Sequence, residues 1–145
     1  MIAGTSARVT VSRGGLDQGD IVASDVQALQ KAIQDGLVKP VFFNYDSAEL
    51  SAEAKSTLEE NSRWFRQYPD AGITVEGHCD ERGSDEYNLA LGESRALAAK
   101  NYLVSLGISA RQLSVISYGE EKPAVMGSNE AAWAKNRRAE FKAVH

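Results

Sequence analysis

A carboxylate, an amide and a guanidinium recur close together in this chain. Asp80 lies in the run Val75-Glu76-Gly77-His78-Cys79-Asp80-Glu81-Arg82-Gly83-Ser84-Asp85-Glu86-Tyr87-Asn88, and Arg95 follows it. The run passes from an alternating strand, through a loop dense in charge and glycine, into a helix. Asn88, Leu91 and Arg95 then follow at spacings of three and four, so a helix presents them on one stripe above the loop that carries Asp80. A cation-seeking carboxylate beside an anion-seeking arginine suits a ligand that carries both signs. No nucleophile with a base is evident here, so the pattern reads as a binding site and the chain as a non-enzyme. The adjacent carboxylates Asp80 and Glu81 lack the separation and contrasting surroundings that glycosidic cleavage needs.

The elements that must position these residues are legible from periodicity. Residues 1–23 are rich in Gly, Ser and Asp, with only Ala7 to Val11 resembling a strand, and read as a flexible tether ahead of one domain, residues 24–145. Ser24-Asp25-Val26-Gln27 matches a capping box. Val26, Leu29, Ile33 and Leu37 then mark a short amphipathic helix that Gly36 stops. Val41 to Tyr45 reads as a buried strand. After the polar turn Asp46-Ser47-Ala48-Glu49, Ala54, Leu58, Asn61, Phe65 and Tyr68 line one side of a helix that ends at Pro69. In the next strand Ile73, Val75 and Gly77 face one way, and Thr74, Glu76 and His78 the other. Leu89, Gly92, Ala96, Ala99, Leu103 and Leu106 form the seam of the second main helix. Its small residues at 92, 96 and 99 let it lie close to a sheet. Strands at Leu113 to Tyr118 and near Ala139 to Val144 complete a βαβαββ order. That order predicts an α+β fold, a two-layer α/β sandwich with helices packed on one face of a mixed sheet.

Composition narrows the partners. The chain has 145 residues, 43% hydrophobic and 25% charged, enough for one domain with a core. A net charge of −4 leaves no excess of Lys and Arg to neutralise phosphates, so nucleic acid is not the expected partner. The one cysteine, Cys79, cannot form an internal disulfide. His78 and Cys79 are adjacent at a strand end and point to opposite faces, and the other histidine is His145, so neither a metal site nor a cofactor is expected. Lys135, Arg137 and Arg138 form a basic cluster that reads as a solvated face.

Gly77-His78-Cys79-Asp80-Glu81-Arg82-Gly83, followed by Asn88, Leu91-Gly92 and Arg95-Ala96, resembles the peptidoglycan-binding signature of OmpA-like domains. Three further stretches resemble the peptidoglycan-associated lipoprotein branch of that family: Val41 to Asp46, Ser117 to Val125, and Asn129 to Ala139. The resemblance covers residues 40–145. It implies a domain at the periplasmic face of the outer membrane, anchored by an N-terminal lipid and working in the Tol-Pal system of envelope integrity and cell division. It also implies non-covalent binding of peptidoglycan through the diaminopimelate-containing peptide stem, and docking to TolB and other Tol or outer-membrane proteins. The family pattern maps the ligand contacts onto Phe43, Asp46, Asp80, Asn88, Leu91 and Arg95. On that mapping Arg95 clamps a carboxylate. Asp80 accepts from an ammonium or from the amides that shape its loop, and Leu91 and Phe43 pack the apolar part of the stem. Asn88 can also be the cap of its helix, and Phe43 can equally be core. Glu81 and Arg82 read as loop charges or partner contacts. The lipid-modified cysteine that the resemblance implies is not among these residues, because Cys79 lies inside the motif. A protein-interaction module that docks TolB without holding the wall is the alternative reading, as is a stator-type or porin-type wall anchor outside the Tol-Pal system.

Overall fold

The computed structural model describes residues 18–145. Helix α1 (Gln18–Gln34) is followed by strand β1 (Val41–Phe42), α2 (Ala52–Gln67), β2 (Gly72–His78) and α3 (Asp85–Ser105). Strand β3 (Leu113–Gly119), the short helix α4 (Glu130–Asn136) and β4 (Arg138–Val144) complete the chain. The strands form one mixed sheet in the order β1-β4-β2-β3. β2 runs parallel to β3, while β4 is antiparallel to both β2 and β1. The expected α+β sandwich is what the chain forms. The N-terminal helix differs from expectation: α1 is already helical at Gln18, the first described residue, so Ser24 and Asp25 lie inside it rather than at its start. The strand expected at Ala7 to Val11 lies outside the described residues.

Alternation decides which side of the sheet is covered. Ile73 and Val75 on β2, Ala139 and Phe141 on β4, and Leu113 on β3 are buried with Leu29, Leu58, Phe65, Ala96, Ala99 and Leu103 of the helices. Each fully buried aliphatic or aromatic side chain contributes about 1.5–3 kcal/mol by leaving water. Leu37 and Leu89 depart from their expected seams. Both are exposed, at 48% and 43%, and Val38 takes the inward place beyond the end of α1. Asn61 is wholly buried on α2 because its amide accepts from the Lys39 amide and donates to the Lys39 carbonyl, at 3.0 and 2.8 Å. It thereby ties the segment before β1 to α2.

Close approach of α3 to the sheet is dictated by glycine. A Cβ on Gly77 would stand 1.7 Å from the Gly92 carbonyl oxygen, and one on Gly92 would stand 2.2 Å from Ser117 Oγ. The Gly77–Gly92 contact lets the start of α3 settle over the end of β2. That brings the loop between them, residues 79–84, against the turn that follows β1. Ser84 caps α3 by accepting from the Tyr87 amide at 3.2 Å. Asn88 is therefore not the cap of this helix.

Candidate ligand-binding site

A small pocket opens where the two loops meet. Tyr45, Asp46, Cys79, Asp80, Arg82, Gly83, Tyr87, Asn88, Leu91 and Arg95 line it, and it encloses about 50 Å³. That space takes the charged end of a side chain rather than a sugar ring. A larger groove of about 300 Å³ runs beside β1 and the start of α2, but Lys39 and Glu53 are its only ionisable groups and no polar groups converge in it. Of the residues expected at the site, Asp46, Asp80, Asn88, Leu91 and Arg95 come together around the pocket. Phe43 does not. It is 4% exposed and belongs to the core, because the alternation of β1, Val41 in and Phe42 out, carries on to Phe43 and points it inward, under the Arg95 guanidinium.

Arg95 is the centre of the arrangement. It is 1% exposed, and its guanidinium donates to the carbonyls of Ser47, His78 and Asn44 at 2.9, 3.0 and 3.1 Å. One side chain thereby fastens the turn after β1 to the end of β2. The guanidinium also interacts with the Cys79 side chain, whose pKa it lowers against the effect of burial. Burial, and next the charge of Arg137, lower its pKa, against the raising influence of Cys79, Asp80 and Asp46. An arginine nevertheless stays charged across the physiological range.

Asp80 is not the partner of Arg95. Burial raises its pKa, but hydrogen bonds and charge from Arg82, with the charge of Arg137, outweigh that and hold the carboxyl below the usual range. Arg82 grips it through its backbone amide, Nε and Nη2, at 3.0, 3.1 and 2.9 Å. Its guanidinium is itself sandwiched between the rings of Tyr45 and Trp133, 4.0 and 3.9 Å from the centroids. The Trp133 indole donates to Glu81 at 3.2 Å. Of the two roles open to Asp80, shaping the loop is the one these bonds occupy.

Asp46 is different. It is exposed, it adopts a left-handed φ of 54°, and its carboxylate accepts from the Tyr87 hydroxyl. Asn88 is 1% exposed and donates to Glu120 at 2.6 Å and to the Asp80 carbonyl at 3.5 Å. Cys79 is buried with Sγ 3.3 Å from the Asn88 carbonyl, and burial raises its thiol pKa.

Of the basic cluster, Lys135 is exposed as expected, but the two arginines are not part of a solvated face. Arg137 and Arg138 are 7% and 5% exposed. Arg137 donates to the Phe43 carbonyl at 2.8 Å and to Glu130 at 3.0 Å, and stands 3.8 Å from Asp80. Arg138 donates to the carbonyls of Asn136 and Lys122 and to Glu140. Charge along the sequence reads as surface, whereas here the guanidiniums are matched by carbonyls and carboxylates, among them the carbonyls of Phe43 and Lys122 in other segments. Tyr45, Arg82 and Tyr87 are pocket residues that the expected set omitted. Arg82 lay within the motif itself, and Tyr45 ended the aromatic run before Asp46.

Residues 42–137 match the model of the OmpA family. The chain belongs to that family. Among its curated relatives is a peptidoglycan-associated lipoprotein of Rhizobium meliloti (strain 1021), 48% identical over 99 residues that cover 68% of this chain and 56% of the relative. One from Haemophilus influenzae is 48% identical over 99 residues, covering 68% and 65%. The chain thus spans little more than half the length of the first of these. The crystal structure of the peptidoglycan-associated lipoprotein from Burkholderia pseudomallei is similar to this OmpA-family domain, with a TM-score of 0.69 at 38% identity. That similarity covers 72% of this chain and 89% of the other. The C-terminal domain of Helicobacter pylori MotB has a TM-score of 0.70 at 24% identity, a likeness of fold alone.

Proposed function

We propose that this OmpA-family domain holds peptidoglycan non-covalently, without catalysis, through the diaminopimelate-bearing peptide stem. The observation that carries the reading is the buried Arg95 lining the same small pocket as the exposed carboxylate Asp46. The free end of diaminopimelate carries an ammonium and a carboxylate on one carbon. The carboxylate goes to Arg95. The ammonium goes to Asp46, since the carboxylate of Asp80 is already engaged by Arg82. Leu91 lies against the methylenes, and Asn88 and Asp80 keep the loop in shape.

In the cell the domain serves the Tol-Pal system at the periplasmic face of the outer membrane, tethered through a lipid ahead of the domain, with TolB as a protein partner. The names of its relatives support association with the wall. Asp46→Asn provides the test. Asparagine tolerates the left-handed conformation of residue 46, so the turn survives while the charge is lost. Titration calorimetry with a diaminopimelate stem peptide should show saturable binding, weakened about 10- to 100-fold in the variant, as loss of a charge-assisted hydrogen bond requires. The lysine-containing stem, which lacks the second carboxylate, should bind as poorly. Equal binding of both stems, or none by the folded parent, would shift the weight to TolB docking.

A further inference from the structure

The sheet face opposite the helices carries a cluster that the pocket does not use. Glu76 on β2 and Glu140 on β4 are direct cross-strand partners, and His78 follows Glu76 on the same face. Carboxylates placed directly opposite one another repel. Arg138 and Lys142 offset the charge of Glu140, while Glu76 and His78 are 8% and 1% exposed. Among the described residues Glu76 makes no ion pair with lysine or arginine, and its partner is His78 Nε2 at 3.2 Å. His78 Nδ1 is buried without a hydrogen-bond partner. One ligand atom from each of the three residues falls within 4.8 Å of the others.

We propose that Glu76, His78 and Glu140 are a three-ligand site for a zinc-like divalent transition-metal ion. A spacing of 3.2 Å between Glu76 Oε1 and His78 Nε2 suits two donors sharing one ion at about 2.0–2.2 Å. Glu140, with a side chain 28% exposed and a ligand atom within 4.8 Å of the other two, can close the third position and leave the fourth open to water. The imidazole selects zinc-like ions over magnesium and calcium. The Tyr118 ring, stacked on His78 with centroids 5.5 Å apart, holds the plane of that imidazole.

Two cations oppose the ion. Arg138 donates to Glu140, and Lys142 Nζ lies 3.6 Å from it. The ion competes with Arg138 Nε for Glu140. Arg138 keeps the carbonyls of Asn136 and Lys122, and Lys142, 45% exposed, turns to water. Their competition makes the affinity moderate. Cys79 takes no part, since it faces the pocket on the other side of the strand. The His78 carbonyl accepts from Arg95, so the ion would brace the strand end that the pocket is built on.

The test is calorimetric titration of zinc chloride into the protein in a chelator-free buffer, with cobalt(II) visible absorption as a second probe. A His145→Ala background removes the exposed terminal imidazole. One ion per chain is expected, with a Kd below about 100 μM. Glu76→Gln and Glu140→Gln, near-isosteric and read beside a circular-dichroism check of folding, should each weaken binding at least about tenfold. His78→Gln should abolish the cobalt band of the folded protein. Absence of saturation, or zinc binding unchanged in both glutamine variants, would overturn the site.

Discussion

Replacing Arg95 by lysine keeps the positive charge and removes the fork, so it separates the two things this residue does. In the native structure three N–H groups reach the carbonyls of Asn44, Ser47 and His78, on two separate segments, from a side chain that is 1% exposed. A hydrogen bond from a charged donor is worth about 1.5–3 kcal/mol, and an abandoned buried carbonyl adds a desolvation penalty. A single ammonium can serve one of these carbonyls well, since its donors radiate from one point. Loss of the other two bonds gives a destabilisation of about 3–5 kcal/mol. For a domain of this size that lowers Tm by roughly 10–20 °C. Urea unfolding followed by far-ultraviolet circular dichroism should show a lower midpoint with an unchanged slope, marking a change of stability rather than of compactness. Stem-peptide binding should weaken in parallel, because the turn carrying Asp46 loses its anchor. A variant as stable as the parent that nevertheless fails to bind would refute the argument. Arg95 would then be a ligand clamp with no structural duty.

Further perturbations test other links. Gly77→Ala should be far more damaging than Gly92→Ala: the first places Cβ 1.7 Å from a backbone oxygen, the second 2.2 Å from the Ser117 hydroxyl. Adding Ser117→Ala should rescue Gly92→Ala in part, since the Gly77 oxygen still stands 3.0 Å from the new Cβ, but not Gly77→Ala, in thermal melts. The Asp80 pKa is depressed in the fold, so its stabilisation is complete above the unfolded value near 4 and is lost as pH falls through the lower folded value. Asp80→Asn should accordingly be less stable than the parent at neutral pH, and acid should narrow the gap in urea midpoints. A gap that does not change between neutral and acid pH would remove the ion-pair account. The Cys79 thiol, buried and with a raised pKa, should react with an aromatic disulfide reagent at least about 100-fold more slowly than the unfolded chain. Prompt stoichiometric labelling of the native protein would show the site to be open.

What could be read from the chain was whatever local spacing encodes. The seam of α3 and the closeness permitted by Gly92, Ala96 and Ala99 follow from a 3.6-residue repeat, and the two faces of β2 follow from a repeat of two. The end of a strand is harder, because it depends on what lies beyond. β1 stops after Phe42 because the chain bends toward the turn at Asp46, whose left-handed φ no periodicity announces. The start of α1 was misplaced for a related reason. Ser24 and Asp25 make a plausible cap, but Ile21, Val22 and Ala23 ahead of them are half-buried, so the helix has an apolar face to cover before that point.

The site shows the same division in sharper form. Residue types near Asp80, Asn88 and Arg95 pointed to a ligand of mixed charge, and five of the six expected residues do surround one pocket. Their partners were hidden because they are set by tertiary contact. Arg95 bonds across to residues 44 and 47, Asn88 to residue 120, and Arg137 to residue 43. The direction of the error is physically instructive. Arginines that look like surface in a sequence are buried here because each guanidinium can satisfy several carbonyls at once, which an ammonium cannot. The pocket is thus a consequence of how the loops are fastened. Arg95 and Arg82 hold the walls, and the exposed carboxylate at the mouth is that of Asp46.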